Sequence, residues 1–168
     1  MYKVFLIRTE VKYIQTLNQL YSSKDVVLTA HRGASFDDAE NTPPAFERAV
    51  ASKADMIEFD LRMTADGVPI VLHDKTIDRT SDGTGAPEEH TLAVLKKLNF
   101  SYCFRKERLE KPLYLQLKIP TFEEVLKNFC DKACMNIHVE NFFKKLLISL
   151  AFYLIMNYIK VECSALGT

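Results

Sequence analysis

Two carboxylates, Glu58 and Asp60, stand two residues apart in the run Met56-Ile57-Glu58-Phe59-Asp60-Leu61. Alternate side chains of a β-strand share a face, so this spacing turns both acids to one side. There they can converge on a hard divalent cation such as Mg²⁺ or Ca²⁺, which prefers oxygen donors; without one they repel, and one pKa rises. The same spacing also suits a solvated strand face bearing two charges. His31 and His73 each follow a short apolar run, Val26-Val27-Leu28-Thr29-Ala30 and Val68-Pro69-Ile70-Val71-Leu72. Both therefore sit at the C-terminal ends of predicted strands, where α/β folds place their active sites. With an ordinary pKa near 6.5, one histidine can remove a proton while the other donates one, as cleavage of a phosphate ester requires. Arg32 adjoins the first histidine and has the planar, permanently charged group suited to a phosphate. Each residue alone fits a surface hydrogen-bonding role; together they point to metal-assisted chemistry on a phosphate ester.

The elements that must position these groups are legible in outline. Asn41-Thr42-Pro43 combines a capping residue with a first-turn proline, and Ala45, Phe46, Ala49 and Val50 repeat at helical spacing, which predicts a helix over 43–52. Strands are expected at 26–30, 56–61, 68–72 and 135–139, with Ala65-Asp66-Gly67 as the turn between the second and third. The stretch 78–85 is dense in turn formers and reads as an exposed loop, followed by a short helix carrying Leu92, Leu95 and Leu98. Thr121 followed three residues later by Glu124 is a capping-box pattern and starts another helix. Toward the N-terminus, Val4, Ile7, Val11, Ile14 and Tyr21 recur at three-to-four spacing, predicting an amphipathic helix within 1–24.

Length and composition bound what these parts can build. The 168 residues hold one core, and 48% hydrophobic with 26% charged residues describes a globular chain. The 22 basic and 22 acidic side chains cancel, which excludes a generic nucleic-acid binder. Cys103, Cys130, Cys134 and Cys163 form no CxxC pair and are expected to be reduced. The apolar run ahead of Arg8 is too short for a cleavable signal peptide, leaving a cytoplasmic or membrane-associated location as the expectation. The segment 146–159 is almost continuously apolar. As a helix it reaches roughly 21 Å, short of a ~30 Å hydrocarbon layer, so the readings are a buried or self-associating helix, a membrane-associated segment or an unstructured tail.

His31-Arg32-Gly33-Ala34, Glu40-Asn41-Thr42, Ile57-Glu58-Phe59-Asp60-Leu61, the run from Thr64 to Asp74 and Asp78-Arg79-Thr80, in this order, resemble the glycerophosphodiester phosphodiesterases, including their membrane-associated animal branch. The resemblance implies an α/β, TIM-barrel-like fold of the phospholipase C-like phosphodiesterase type, of which 25–140 would be the N-terminal part, with flanking helices. It implies a phosphoric diester hydrolase of lipid metabolism that cleaves glycerophosphodiesters to glycerol phosphate and an alcohol with a bound Mg²⁺ or Ca²⁺. By that analogy Glu58 and Asp60 are metal ligands, His31 and His73 are the general acid and base, and Arg32 holds the phosphate. Asn41 is assigned to capping a helix and Gly67 to a turn. The loop from Thr76 onward matches the family's extra segment beside the barrel, over the glycerol side of the site.

The chain also departs from the family pattern. A complete barrel of this kind takes about 250 residues, and the resemblance fades after about 126, leaving 141–168 as an apolar helical tail outside it. His138 stands where the family has a further acidic metal ligand, and Glu140 where it has a lysine. His138 keeps the capacity to ligate, with a changed donor type. Such a half barrel leaves strand edges and an apolar face open, so a homodimer, or cover from 146–159, is expected. Two other readings stand beside the hydrolase. One is an inactive truncated relative that binds a phosphodiester, a membrane or a partner; the other is a related phospholipase acting on a lysophospholipid-type substrate.

Overall fold

The computed structural model describes residues 2–7, 22, 26–139 and 160–164. Its strands are β1 (Tyr2–Ile7), β2 (Thr29–His31), β3 (Met56–Met63), β4 (Pro69–Val71), β5 (Cys103–Phe104), β6 (Glu107–Arg108), β7 (Cys134–Val139) and β8 (Lys160–Ser164); its helices are α1 (Pro43–Ala51), α2 (Leu92–Leu95) and α3 (Phe122–Phe129). The strands β2, β3 and β7 lie side by side and parallel, in the order β2-β3-β7. A parallel neighbour requires a crossover, and α1 supplies it between β2 and β3 while α3 precedes β7.

The alternation along β3 divides the sheet into two unlike faces. Ile57, Phe59 and Leu61 join Met135, Ile137 and Val139 of β7 in a core closed by Phe46 and Ala49 of α1 and by Phe122, Val125, Leu126 and Phe129 of α3. Phe46 stands at the centre, its ring 5.7 Å from that of Phe59 and 5.6 Å, edge on, from that of Phe129. Each such fully buried side chain contributes roughly 1.5–3 kcal/mol. Glu58, Asp60 and Arg62 take the alternate positions and occupy the opposite face of the sheet. Parallel strands with helices on one face and polar side chains on the other are one sector of a β/α barrel.

Local chemistry sets the element ends. The Thr121 hydroxyl accepts from the Glu124 amide at 3.1 Å and the Glu124 carboxylate accepts from the Thr121 amide at 2.7 Å, completing the expected capping box of α3. Thr42, in extended conformation, precedes Pro43 as the N-cap of α1, so the cap assigned to Asn41 falls one residue later. The β3–β4 turn is closed by Gly67, whose φ of +78° explains glycine there. Strand β4 pairs antiparallel with β3, Val71 opposite Leu61, and so runs back along it. Beyond β4, residues 73–118 form an irregular segment with its own small core of Ile77, Leu95 and Phe100 under Ile70, Leu72 and Ile119.

Four expectations change. The N-terminal helix begins instead as strand β1, paired antiparallel with β7, and the remainder of its predicted span lies outside the described residues. A short apolar run fits either period, and here an open strand edge claims it. The C-terminal helical tail contains strand β8, paired with β1; 146–159 lies outside the described residues. The loop 78–85 is not wholly exposed, since Thr80 and Ser81 are buried and Arg79 is half-buried. The short hairpin β5–β6 was absent from the pattern, two-residue strands being too short to show a period.

Candidate active site

Strand register builds the site row by row. His31 of β2 lies beside Glu58 of β3, which lies beside Asn136 of β7. One step further, Asp60 lies beside His138. Residues paired this way across parallel strands share a face, so four side chains named from the sequence meet on one side of the sheet. Oxygen or nitrogen atoms of Glu58, Asp60 and His138 all lie within 4.8 Å of one another. Nδ1 of His138 is 2.9 Å from Oδ1 of Asp60; a carboxylate only accepts, so the ring donates through this nitrogen and turns Nε2 away from Asp60. The His31 ring comes to 3.9 Å from the Glu58 carboxylate.

The β2–α1 loop folds over this row. Gly33 adopts φ of +75°, and a Cβ there would meet the Ala45 backbone at 2.8 Å, so the loop can lie against α1 only with glycine. The turn brings the Arg32 amide to the Glu58 carboxylate at 3.1 Å. Arg32 is buried; its Nη1 donates to Glu40 at 3.0 Å and its Nε stands 3.6 Å from Asp60. Asn41, also at positive φ, approaches Asp60 with Nδ2 at 3.5 Å.

His73 arrives from the other direction. Because β4 runs back along β3, the Leu72 amide bonds the Asp60 carbonyl and His73 follows directly after it. Its backbone carbonyl accepts from Arg62 Nη2 at 2.9 Å. Its Nδ1–H donates to Asp74 at 2.8 Å. The His31 and His73 side chains are 54% and 41% exposed, whereas those of Glu58 and Asp60 are 13% and 9% exposed. The histidines thus meet incoming molecules while the carboxylates lie beneath.

The electrostatics follow from this packing. Burial and the neighbouring Asp60 charge push the Glu58 carboxyl above its ordinary range. Burial also opposes ionisation of Asp74, but the Arg79 guanidinium and the His73 N–H outweigh it and hold that carboxyl at about 2. Glu40 is likewise buried and is held low by Arg79 and Arg32. Burial and the Glu40 charge push the Cys103 thiol up to about 12, so it is a neutral group in this network. Around the carboxylates, the buried polar atoms Arg32 Nε, Asn41 Oδ1 and Asn136 Oδ1 have no hydrogen-bond partner among the described residues. Unmade bonds of buried polar atoms cost about 1–3 kcal/mol each, and a site organised around a polar ligand is one setting in which they persist.

Every site residue expected from the sequence is thus located. Glu58, Asp60, His138, His31 and Arg32 come together, and His73 joins them through a chain of hydrogen-bonded groups. The sequence reading missed Glu40, Asp74 and Arg79 as site components, although all three lie in the quoted motifs. Their pairing spans up to 39 positions, and no local period reports it.

A sheet sector with carboxylates and imidazoles on its polar face defines a β/α-barrel site suited to a cation and an anionic substrate. Residues 31–152 match the glycerophosphoryl diester phosphodiesterase family, and the chain belongs to it. The match extends beyond position 126, where the resemblance was expected to fade, and past the expected boundary at 140. The glycerophosphodiester phosphodiesterase of Bacillus subtilis (strain 168) is 48% identical over 121 residues, 70% of this chain and 41% of that protein. Glycerophosphodiester phosphodiesterase 1 of Bos taurus is 40% identical over 114 residues, 68% and 32% respectively. An Oleispira antarctica phosphodiesterase solved in complex with the product sn-glycerol-3-phosphate superimposes with a TM-score of 0.68 at 26% identity, over 82% of this chain and 54% of that one. A glycerophosphodiester phosphodiesterase from Agrobacterium tumefaciens gives 0.65 at 29%, over 76% and 53%. The chain spans between 32% and 54% of the length of these relatives. Its fold is a part of their TIM-barrel-like fold. Among the described residues, no helix is long and apolar enough to cross a membrane.

Proposed function

We propose that this chain carries the catalytic half of a metal-dependent phosphodiesterase that hydrolyses glycerophosphodiesters to glycerol phosphate and an alcohol. The observation that carries this reading is the convergence of Glu58, Asp60 and His138 beside two exposed histidines, in a chain of this family. The donor set fits a divalent cation: two carboxylates of raised mutual repulsion and one imidazole whose far nitrogen is held by Asp60. Glu58, Asp60 and His138 would hold the ion, which when bound neutralises charge developing on the phosphate oxygens. Mg²⁺ or Ca²⁺ suits the carboxylates, while the imidazole extends the range toward softer divalent ions.

The side chains of the protein supply the proton transfers. His73, protonated on Nδ1 by its bond to Asp74, offers Nε2 to take the proton of the attacking hydroxyl. As the new P–O bond forms and the bond to the alcohol breaks, His31 delivers a proton to the departing oxygen. Its ring stands 3.9 Å from the Glu58 carboxylate, at the edge of the proposed cation site. Arg32, anchored on Glu40, holds its guanidinium beside Asp60 for a phosphate oxygen.

The test is release of glycerol phosphate from glycerophosphocholine and glycerophosphoinositol by the purified chain, with and without Mg²⁺ or Ca²⁺, beside His73→Ala. Metal-dependent turnover that falls about 10²- to 10⁴-fold in the variant, with little change in KM, supports the reading. No turnover by the wild-type chain in any condition overturns it.

A further inference from the structure

We propose that Arg79 is a positioning residue for the reaction: its guanidinium clamps Asp74 and through it fixes His73 in the tautomer that leaves Nε2 free. The inference rests on the hydrolase reading above for its catalytic meaning, though not for its structural test.

A guanidinium presents its donors along planar edges, and Arg79 uses two of them on two carboxylates. One edge takes Asp74, with Nε to Oδ2 at 2.7 Å and Nη2 to Oδ1 at 3.0 Å. The other takes Glu40, with Nη2 to Oε1 at 2.7 Å and Nη1 to Oε2 at 3.0 Å. The last Nη1 hydrogen faces the Lys106 carbonyl at 3.4 Å, and the Cys103 sulfur lies against the same nitrogen. All five N–H groups therefore have acceptors, and the two paired forks fix both distance and plane. A lysine ammonium is a point charge and reproduces neither.

This clamp is anchored on both sides. Glu40 is buried and also receives Arg32 Nη1, so it cannot follow Asp74 if that residue moves. The Lys106 carbonyl is presented by a hairpin tip in which Arg105 and Lys106 both take left-handed backbone, φ +50° and +69°, a conformation unusual for such residues. Arg105 in turn stacks 4.0 Å over the Phe36 ring, tying the tip to the loop that follows His31. On the far side, Asp74 Oδ1 accepts from His73 Nδ1. Arg62 already fixes the His73 backbone carbonyl, so the ring's tautomer and rotation are left to Asp74. Which imidazole nitrogen holds the proton is decided by the bond the other makes, and here that bond is only as rigid as Asp74.

The experiment uses the full chain with ¹⁵N-labelled histidine, reading the His73 ring nitrogens at pH 8 without added metal. The wild type is expected in the Nδ1–H form. Arg79→Lys and Arg79→Gln, which retain donors but not the double fork, are expected to shift His73 toward the Nε2–H form. Each is also expected to lower kcat on glycerophosphocholine about 10- to 100-fold with KM little changed. Adding Arg79→Lys to Asp74→Ala is expected to cost nothing beyond Asp74→Ala, because both act through one bond. An unchanged tautomer in folded Arg79 variants, or independent losses in the double variant, overturns the proposal. So does failure of both Arg79 variants to fold, which would make the residue a structural strut. If the wild type shows no turnover, the hydrolase reading falls while the ring nitrogens still decide the role of Arg79.

Discussion

Asp74 is where one residue's chemistry becomes a property of the whole chain. Its carboxyl is buried against ionisation, yet the Arg79 fork and the His73 N–H hold it down at about 2, against about 3.9 for an unfolded aspartate. A depressed pKa means the folded state binds that proton less readily than the unfolded state. The stabilisation is therefore complete above about pH 4 and is lost as pH falls toward 2. Glu40, also held low between Arg79 and Arg32, acts in the same direction. Urea unfolding of the wild type should show stability falling through this window. Asp74→Asn, having no charge to lose, should show a flatter profile; an equally steep one would mean that other carboxylates set the acid limb. Residues of this kind were only half legible in the sequence. Glu58 and Asp60 declared themselves by period-two spacing, and the two histidines by strand ends. Asp74, Glu40 and Arg79 did not, because their partners are assembled by the fold rather than by neighbouring positions.

At the scale of elements, the site depends on how closely the β2–α1 loop lies against its helix. Gly33 answers two demands at once, a φ of +75° and the absence of a Cβ that would sit 2.8 Å from the Ala45 backbone. Left-handed backbone costs an L-residue roughly 1–2 kcal/mol, and the backbone contact cannot be relieved by a rotamer change. Gly33→Ala should therefore destabilise the chain by at least about 2 kcal/mol in chemical denaturation. It should also displace the Arg32 amide from Glu58. A loss under about 0.5 kcal/mol would mean that the loop is free to move away from α1. Elements built on strong local signals were readable in advance: α1 from its proline and helical spacing, α3 from its capping box, and β3 from its alternation. The antiparallel return of β4 was not, although it is what carries His73 back beside Asp60. Apolar runs announce a strand but not its direction. The segment 4–7 failed for a related reason, since four apolar residues fit a helix turn as well as an edge strand.

The molecule as a whole sets a helix-covered apolar face against a polar one, and the second face is the costly one. Glu58, Asp60, Asn136 and His138 gather there with unsatisfied polar atoms nearby and a Glu58 carboxyl pushed upward by burial and by Asp60. Charges removed from water and left partly unpaired oppose folding. A cation that binds this face only when the strands are in register must therefore stabilise the fold by mass action. At a hundredfold excess over Kd the gain is about 2.7 kcal/mol, or about 5–10 °C in Tm for a chain of this size. Thermal melts with Mg²⁺, Ca²⁺ or Mn²⁺ should show this rise, and a chelator should reverse it. Asp60→Asn should abolish the response to metal while retaining a cooperative transition, because it removes a charge without removing volume. The ion giving the largest shift would identify the preferred donor chemistry, with Mn²⁺ above Mg²⁺ marking the imidazole of His138 as a contributor. If none of the three ions moves Tm at millimolar concentration, the Glu58, Asp60 and His138 cluster is not a metal site. Its charges would then be balanced by Arg32 and the histidines alone.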